Sequence, residues 1–153
     1  MKRILIALLI AGGGWLIATH NAPVGTPPTS TISATPSGAS TRDAEAVLAR
    51  AFDDRQSNLQ IQAQGVVRKL LADDRQGSRH QRFLLELGSG QTLLVAHNID
   101  LAPRIEALRE GDTVAFYGEY EWNDKGGVIH WTHRDPQGRH VAGWLRHGGR
   151  SYQ

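Results

Sequence analysis

The sequence predicts a mainly β protein: a five-stranded barrel like the oligonucleotide/oligosaccharide-binding (OB) fold, with one N-terminal helix and a short helix between strands 3 and 4. Three observations carry this reading. Apolar and polar residues alternate in short runs between Leu59 and His133. Clusters rich in Gly, Asp and Asn separate those runs. The first run is long and broken once, at Gly65, as a bent strand requires.

Met1-Lys2-Arg3 opens the chain with two positive charges, and Ile4 to Ala18 is apolar and uncharged. As a helix that stretch would reach roughly 22 Å, short of a hydrocarbon core of about 30 Å. Residues 1–18 therefore read as a signal peptide or a membrane anchor, and the expected address is exported and periplasmic. Leu16-Ile17-Ala18 matches the small-x-small cleavage rule only loosely, so an inner-membrane tether through residues 4–18 stays open beside a cleaved leader. With no cysteine in the chain, a lipoprotein anchor, disulfides, thiolate metal sites and a Cys nucleophile are all excluded.

Residues 19–41 carry Pro23, Pro27, Pro28 and Pro36 among Ser and Thr, with no Asp, Glu, Lys or Arg. Such a composition buries too little apolar surface to order itself, so a disordered tether is expected. Residues 42–55 read as a helix capped by Thr41, with Asp43 and Glu45 in its first turn and Arg50 near its end. Ala44, Val47, Leu48, Ala51 and Phe52 form its apolar stripe, expected to pack on the barrel.

Residues 56–153 form the expected barrel with a C-terminal extension. Leu59, Ile61 and Ala63 alternate with Gln60, Gln62 and Gln64; Gly65 marks a bulge and Val66-Val67 resumes the strand. After the turn-rich loop from Asp73 to Arg79, Arg82–Leu87 is the second strand and Gln91–His97 the third. Pro103 is placed to start a helical turn carrying Ile105 and Leu108. The phrase Leu108-x-x-Gly111-Asp112-x-Val114-x-Phe116-x-Gly118 opens the fourth strand. Its Gly-Asp turn starts the strand, Val114 and Phe116 face the core, and Gly118 permits tight coiling. A hairpin at Asn123–Gly127 leads to a fifth strand, Val128–His133, and the extension ends in a Gly148-Gly149 turn.

The formal charge of +2 comes from Lys2 and Arg3; from residue 4 onward positive and negative side chains balance. A high isoelectric point is thus weak evidence for nucleic acid. The tail is locally basic: Arg134, Arg139, Arg146 and Arg150 oppose only Asp135.

Histidines are the first candidates for chemistry: His80, His97, His130, His133, His140 and His147. His130 and His133 fall on opposite faces of a strand, so a metal there would need His80 or His97 from elsewhere. Asp73-Asp74 lies near Arg75, Arg79 and Arg82, a composition able to hold a cation against a phosphate but equally that of a turn. Glu119 and Glu121 alternate with Tyr120 and Trp122, which reads as one solvated acidic face and one packed face. No Gly-x-Ser-x-Gly elbow, phosphate-binding Walker loop or His-Glu-x-x-His is present.

Aromatic rings beside cations are the best positive feature. Bases and sugars stack on such rings while Arg and His contact phosphates or hydroxyls. Ligands of OB barrels lie over the second and third strands. The expected ligand-binding residues are therefore Arg79, His80, Arg82, His97, His130 and Trp131.

The chain from Gln64 to Gln153 resembles a family of short exported bacterial proteins grouped as a domain of unknown function. The residues that carry the resemblance include Gly77–Phe83, His97–Arg104, Gly118–Asn123, Gly126–His133 and Gly143-Trp144-Leu145. It implies an OB-like fold and an exported address, and supplies no activity. On the residues alone, the expected function is a non-enzymatic binding module for an extended polar or anionic ligand, oligonucleotide or glycan, without a cofactor. One alternative is a metal-assisted, phosphodiesterase-like hydrolase using His80, His97, His130 and the Asp73-Asp74 loop. A second is a periplasmic module that binds another protein.

Overall fold

Helix α1, Gly38–Asp53, lays its apolar stripe on a β core; Leu48 and Ala51 are buried, with Ala44 and Val47 packed beside them. The structure, a computed structural model, describes residues 38–153. The expected leader and nearly all of the expected tether lie outside the described residues. The helix starts earlier than expected, so Thr41 sits inside it rather than capping it, and its first turn carries no acid. Glu45 instead turns inward, and its Oε1 accepts a hydrogen bond from the Gly88 amide at 3.0 Å. Arg55 adopts φ 54° beyond the helix end, and the Gln56 amide donates back to the Ala51 carbonyl, closing the last turn. Among the described residues no helix is long and apolar enough to cross a membrane.

Seven strands follow: β1 Leu59–Leu70, β2 His80–Glu86, β3 Thr92–Asn98, β4 Thr113–Glu121, β5 Val128–His130, β6 Trp144–His147 and β7 Arg150–Tyr152. The first five close a barrel in the order β1-β2-β3-β5-β4, with β4 returning to β1. Long β1 makes this closure possible. Its first part pairs with β4, from Leu59↔Tyr120 to Val66↔Thr113, and its last part pairs with β2. Gly65 lies at the handover, where a Cβ would come within 2.5 Å of the Glu86 carbonyl oxygen. The register slip itself falls between Val67 and Lys69, not at Gly65 as the sequence suggested. β3 and β5 run parallel, and the other barrel pairs are antiparallel.

Alternation behaves as expected. Phe83, Leu85, Leu93, Val95, Val114, Phe116, Tyr120 and Ile129 all point inward and are buried. Each stands beside an outward neighbour that is only partly covered.

Two expectations are corrected. The segment between β3 and β4 holds turns rather than a short helix. Ile105 and Leu108 are buried as anticipated, but the backbone around them is committed elsewhere. Gln81 Nε2 donates to the Ile105 carbonyl at 3.0 Å, and the Ile105 amide donates to Gln81 Oε1 at 2.9 Å. His97 takes the Pro103 carbonyl. Groups that would form the i to i−4 ladder of a helix are thus spent on strand side chains. β5 ends at His130 instead of reaching His133, because Trp131 turns the chain with φ 51°.

The C-terminal extension is a hairpin that continues the sheet. β6 pairs with the first half of β4, and β7 with β6. Gly148 and Gly149, at φ 55° and 76°, make the tight turn between them.

Candidate functional site

The outward positions of β2, β3 and β5 build one groove. On β2 these are His80 and Arg82; opposite them on β3 stand Asn98 and Ala96. β5 contributes Val128 and His130, and Trp131 follows. Ala96 is the small residue between taller neighbours and forms the floor. The groove has two adjoining lobes that share His80, Ala96 and His130. One, of about 180 Å³, is also lined by Trp131 and His133. The other, of about 320 Å³, is also lined by Asp74, Arg82 and Glu121.

Three of the groove side chains have a defined support. His80 Nδ1–H donates to the Ser78 carbonyl at 2.8 Å, which leaves Nε2 free of that bond. Arg82 Nε–H donates to the Ala72 carbonyl at 3.0 Å, and its nearest carboxylate, Asp74, is 4.0 Å away. Trp131 holds a left-handed backbone, a conformation that costs a bulky residue energy. That turn lays its indole flat on His140, with centroids 4.0 Å apart and planes 7° apart. Asp135 in turn positions His140, since its carboxylate accepts the amides of Gln137, Arg139 and His140.

Beside the groove lies a cluster of carboxylates and imidazoles. Glu119 on β4 pairs across the strands with His130 on β5, and Glu121 follows on the same face. His130 Nε2 is 3.5 Å from Glu119 Oε1 and 3.9 Å from Glu121 Oε1. On the other side of Glu119, His140 Nε2–H donates to Oε2 at 2.8 Å while its Nδ1–H donates to the Val141 carbonyl. Burial pulls the His140 pKa down, but the hydrogen bonds to Glu119 and Val141 and the nearby acids outweigh it and raise it. For His130 burial wins over the attraction of Glu119 and Glu121, so its pKa is lowered.

Of the six sequence-predicted residues, His80, Arg82, His130 and Trp131 line this groove. Arg79 is drawn aside, its amide and Nε both donating to the Asp100 carboxylate at 2.7 and 2.6 Å. His97 is behind the wall, fully buried, and cannot meet a ligand. Its Nε2–H donates to the Pro103 carbonyl, and its Nδ1 accepts from the Thr132 hydroxyl at 2.8 Å. The signal was available: His97 is in phase with inward Leu93 and Val95. Asp73 is tied to Arg104, leaving only Asp74 of the acidic pair on the groove. Of the hydrolase constellation, His80, His130 and Asp74 share the larger lobe, while His97 and Asp73 are withdrawn from it. Trp122 packs against α1, donating from Nε1 to the Phe52 carbonyl at 3.0 Å. Glu119, Glu121, His133 and His140 are outside the six expected ligand-binding residues, although both histidines are among the candidates for chemistry.

Residues 29–153 match the family described as protein of unknown function (DUF3465). The chain belongs to the DUF3465 family. The matched region takes in α1, the barrel, the groove and the C-terminal hairpin, so the site described above lies wholly within the DUF3465 domain. No curated protein matches the chain.

Proposed function

We propose that this protein is an exported OB-like binding module whose groove takes an extended polar ligand, a glycan in preference to an oligonucleotide. The observation that carries the reading is the groove itself: His80 and Arg82 on one side, His130 and Trp131 on the other, Ala96 between. The ring order β1-β2-β3-β5-β4, the parallel β3–β5 pair and the first strand shared between two neighbours support the OB-like assignment. OB barrels bind over the face that carries His80 and Arg82 here.

Preference for a glycan rests on the mixture of groups. Sugar hydroxyls donate and accept, and the groove offers Arg82 as donor with Asp74 and Glu121 as acceptors. The same carboxylates would repel a phosphate backbone, and the charge beyond residue 3 is balanced. Lys2-Arg3 and the apolar run to Ala18 support export, by cleavage or as a tether.

A screen of the chain without residues 1–18 against glycans and single-stranded DNA tests the binding reading. The expected result is glycan binding with amide shifts centred on residues 80–82, 96–98 and 128–131. Binding of DNA alone, with strong salt dependence, overturns the glycan preference; binding of neither overturns the module. Fractionation of cells making the full chain tests the address, and recovery in the cytoplasm overturns it.

A further inference from the structure

We propose that Glu119, Glu121 and His130 bind a divalent transition-metal ion of the zinc class on the outer face of the barrel. The three donors come from two paired strands. Antiparallel pairing sets Glu119 directly opposite His130, and the two-residue strand period brings Glu121 to the same side. Their ligand atoms all lie within 4.8 Å of one another.

The distances fit coordination better than an ion pair. His130 Nε2 is screened from solvent and has no hydrogen-bond partner, although carboxylate oxygens stand at 3.5 and 3.9 Å. These separations are too long for a good charge-assisted hydrogen bond. Two ligands of one tetrahedral zinc ion, each about 2.1 Å from the metal, stand about 3.4 Å apart. A ring nitrogen left without a partner while facing two acids is what such a site presents.

Charge points the same way. Among the described residues neither Glu119 nor Glu121 pairs with a Lys or Arg; their partners are histidines. Two carboxylates at alternate positions on one strand face repel each other, and a cation between them removes that repulsion. Imidazole with carboxylates is a donor set suited to zinc and its neighbours.

The support around the ligands is also present. His140 holds Glu119 Oε2, which turns Oε1 toward His130. Metal-binding carboxylates are characteristically oriented by such outer hydrogen bonds. Trp131 covers His140, and Asp135 fixes the turn that delivers it. Glu121 and His130 also line the larger lobe, so an ion held here borders the groove. An ion there would engage Glu121 and leave Asp74 as the groove's remaining carboxylate acceptor, whichever ligand the groove takes.

The test is titration of the untagged, chelator-treated chain with Zn²⁺ by calorimetry and with Co²⁺ by absorption. The wild type is expected to bind one equivalent of each. Glu121→Gln and His130→Gln should each abolish stoichiometric binding. His140→Ala, which frees Glu119 without removing a ligand, should weaken it on the order of 10-fold to 100-fold. His147→Gln, remote from the cluster, should bind as the wild type does. In wild-type amide NMR spectra, Co²⁺ should perturb residues 119–121 and 130 first, a readout that needs no variant. Absence of wild-type binding, binding that survives both ligand substitutions, or paramagnetic effects centred elsewhere would each overturn the proposal.

Discussion

Gln81 and Ile105 exchange two hydrogen bonds across the end of the barrel, side-chain amide to backbone, at 3.0 and 2.9 Å. Both groups are buried. The pair imitates a strand ladder with a side chain in place of a second backbone, and it fixes the β3–β4 connection as a plug.

Removing it leaves a buried N–H and a buried C=O without partners. Gln81→Ala is therefore expected to destabilise the domain by roughly 2–5 kcal/mol. Urea unfolding measures this directly. A loss well under 1 kcal/mol would mean that water or a shifted loop replaces the clamp at no cost.

His97 makes acid stability measurable. Burial is the main cause of its lowered pKa, about 4 against an ordinary 6.5; the nearby His133 and His80 add to the shift, and the hydrogen bond to Pro103 partly opposes it. A depressed pKa means that the unfolded chain binds the proton more readily. The contribution is fully present above pH 6.5 and is lost as pH falls through 4, about 3 kcal/mol in all. Nδ1 already accepts the Thr132 hydroxyl, so protonation also costs that hydrogen bond. Histidine NMR titration should show one ring titrating near pH 4, and a His97 that titrates normally would contradict its burial.

Gly118 marks a close approach between β4 and the turn after β5. A Cβ there would fall 2.6 Å from the His130 carbonyl oxygen and 2.9 Å from Thr132 Cγ2. Gly118→Val should cost on the order of 1–3 kcal/mol by overpacking. An unchanged melting temperature would contradict the register between β4 and β5.

Trp131 allows side chain and backbone to be separated. Both Trp131→Ala and Trp131→Gly remove the indole from His140, so both should weaken ligand binding. Only Gly relaxes the φ of 51°, and it should leave the protein more stable than Ala by about 1–2 kcal/mol. Equal stability of the two variants would show that the left-handed turn carries no strain.

Arg82→Ala should weaken binding in the groove with little change in melting temperature, because the guanidinium is only partly covered and makes one hydrogen bond to Ala72. Parallel melting and binding curves for this variant would decide whether Arg82 serves the ligand or the fold.

Much of this was legible in local pattern. Alternation at Leu59, Ile61 and Ala63, the Gly111-Asp112 turn and the crowding at Gly118 each depend on a few neighbouring residues. The β3–β4 plug was not legible, because Ile105 and Leu108 have helical spacing while the deciding partner, Gln81, lies far back in the chain. The acidic cluster was hidden for a related reason. Glu119 and Glu121 read as a solvated face until pairing with β5 sets His130 beside them. His97 has the chemistry of a ligand contact, but its strand phase points inward.

Closure of the ring through β1 and β4 has a kinetic consequence. β1, β2 and β3 can form a meander from consecutive chain, but the first half of β1 has no partner until Tyr120 and its neighbours arrive. The parallel β3–β5 contact, Val95 to Ile129, is equally remote in the chain. Both pairings require long loops to close before their contacts repay the lost entropy. Refolding should therefore wait on the docking of β4 and β5, on the millisecond-to-second scale of β-barrels. Substitutions in β4 should slow refolding, while those in the β6–β7 hairpin, added to the outer edge, should mainly speed unfolding.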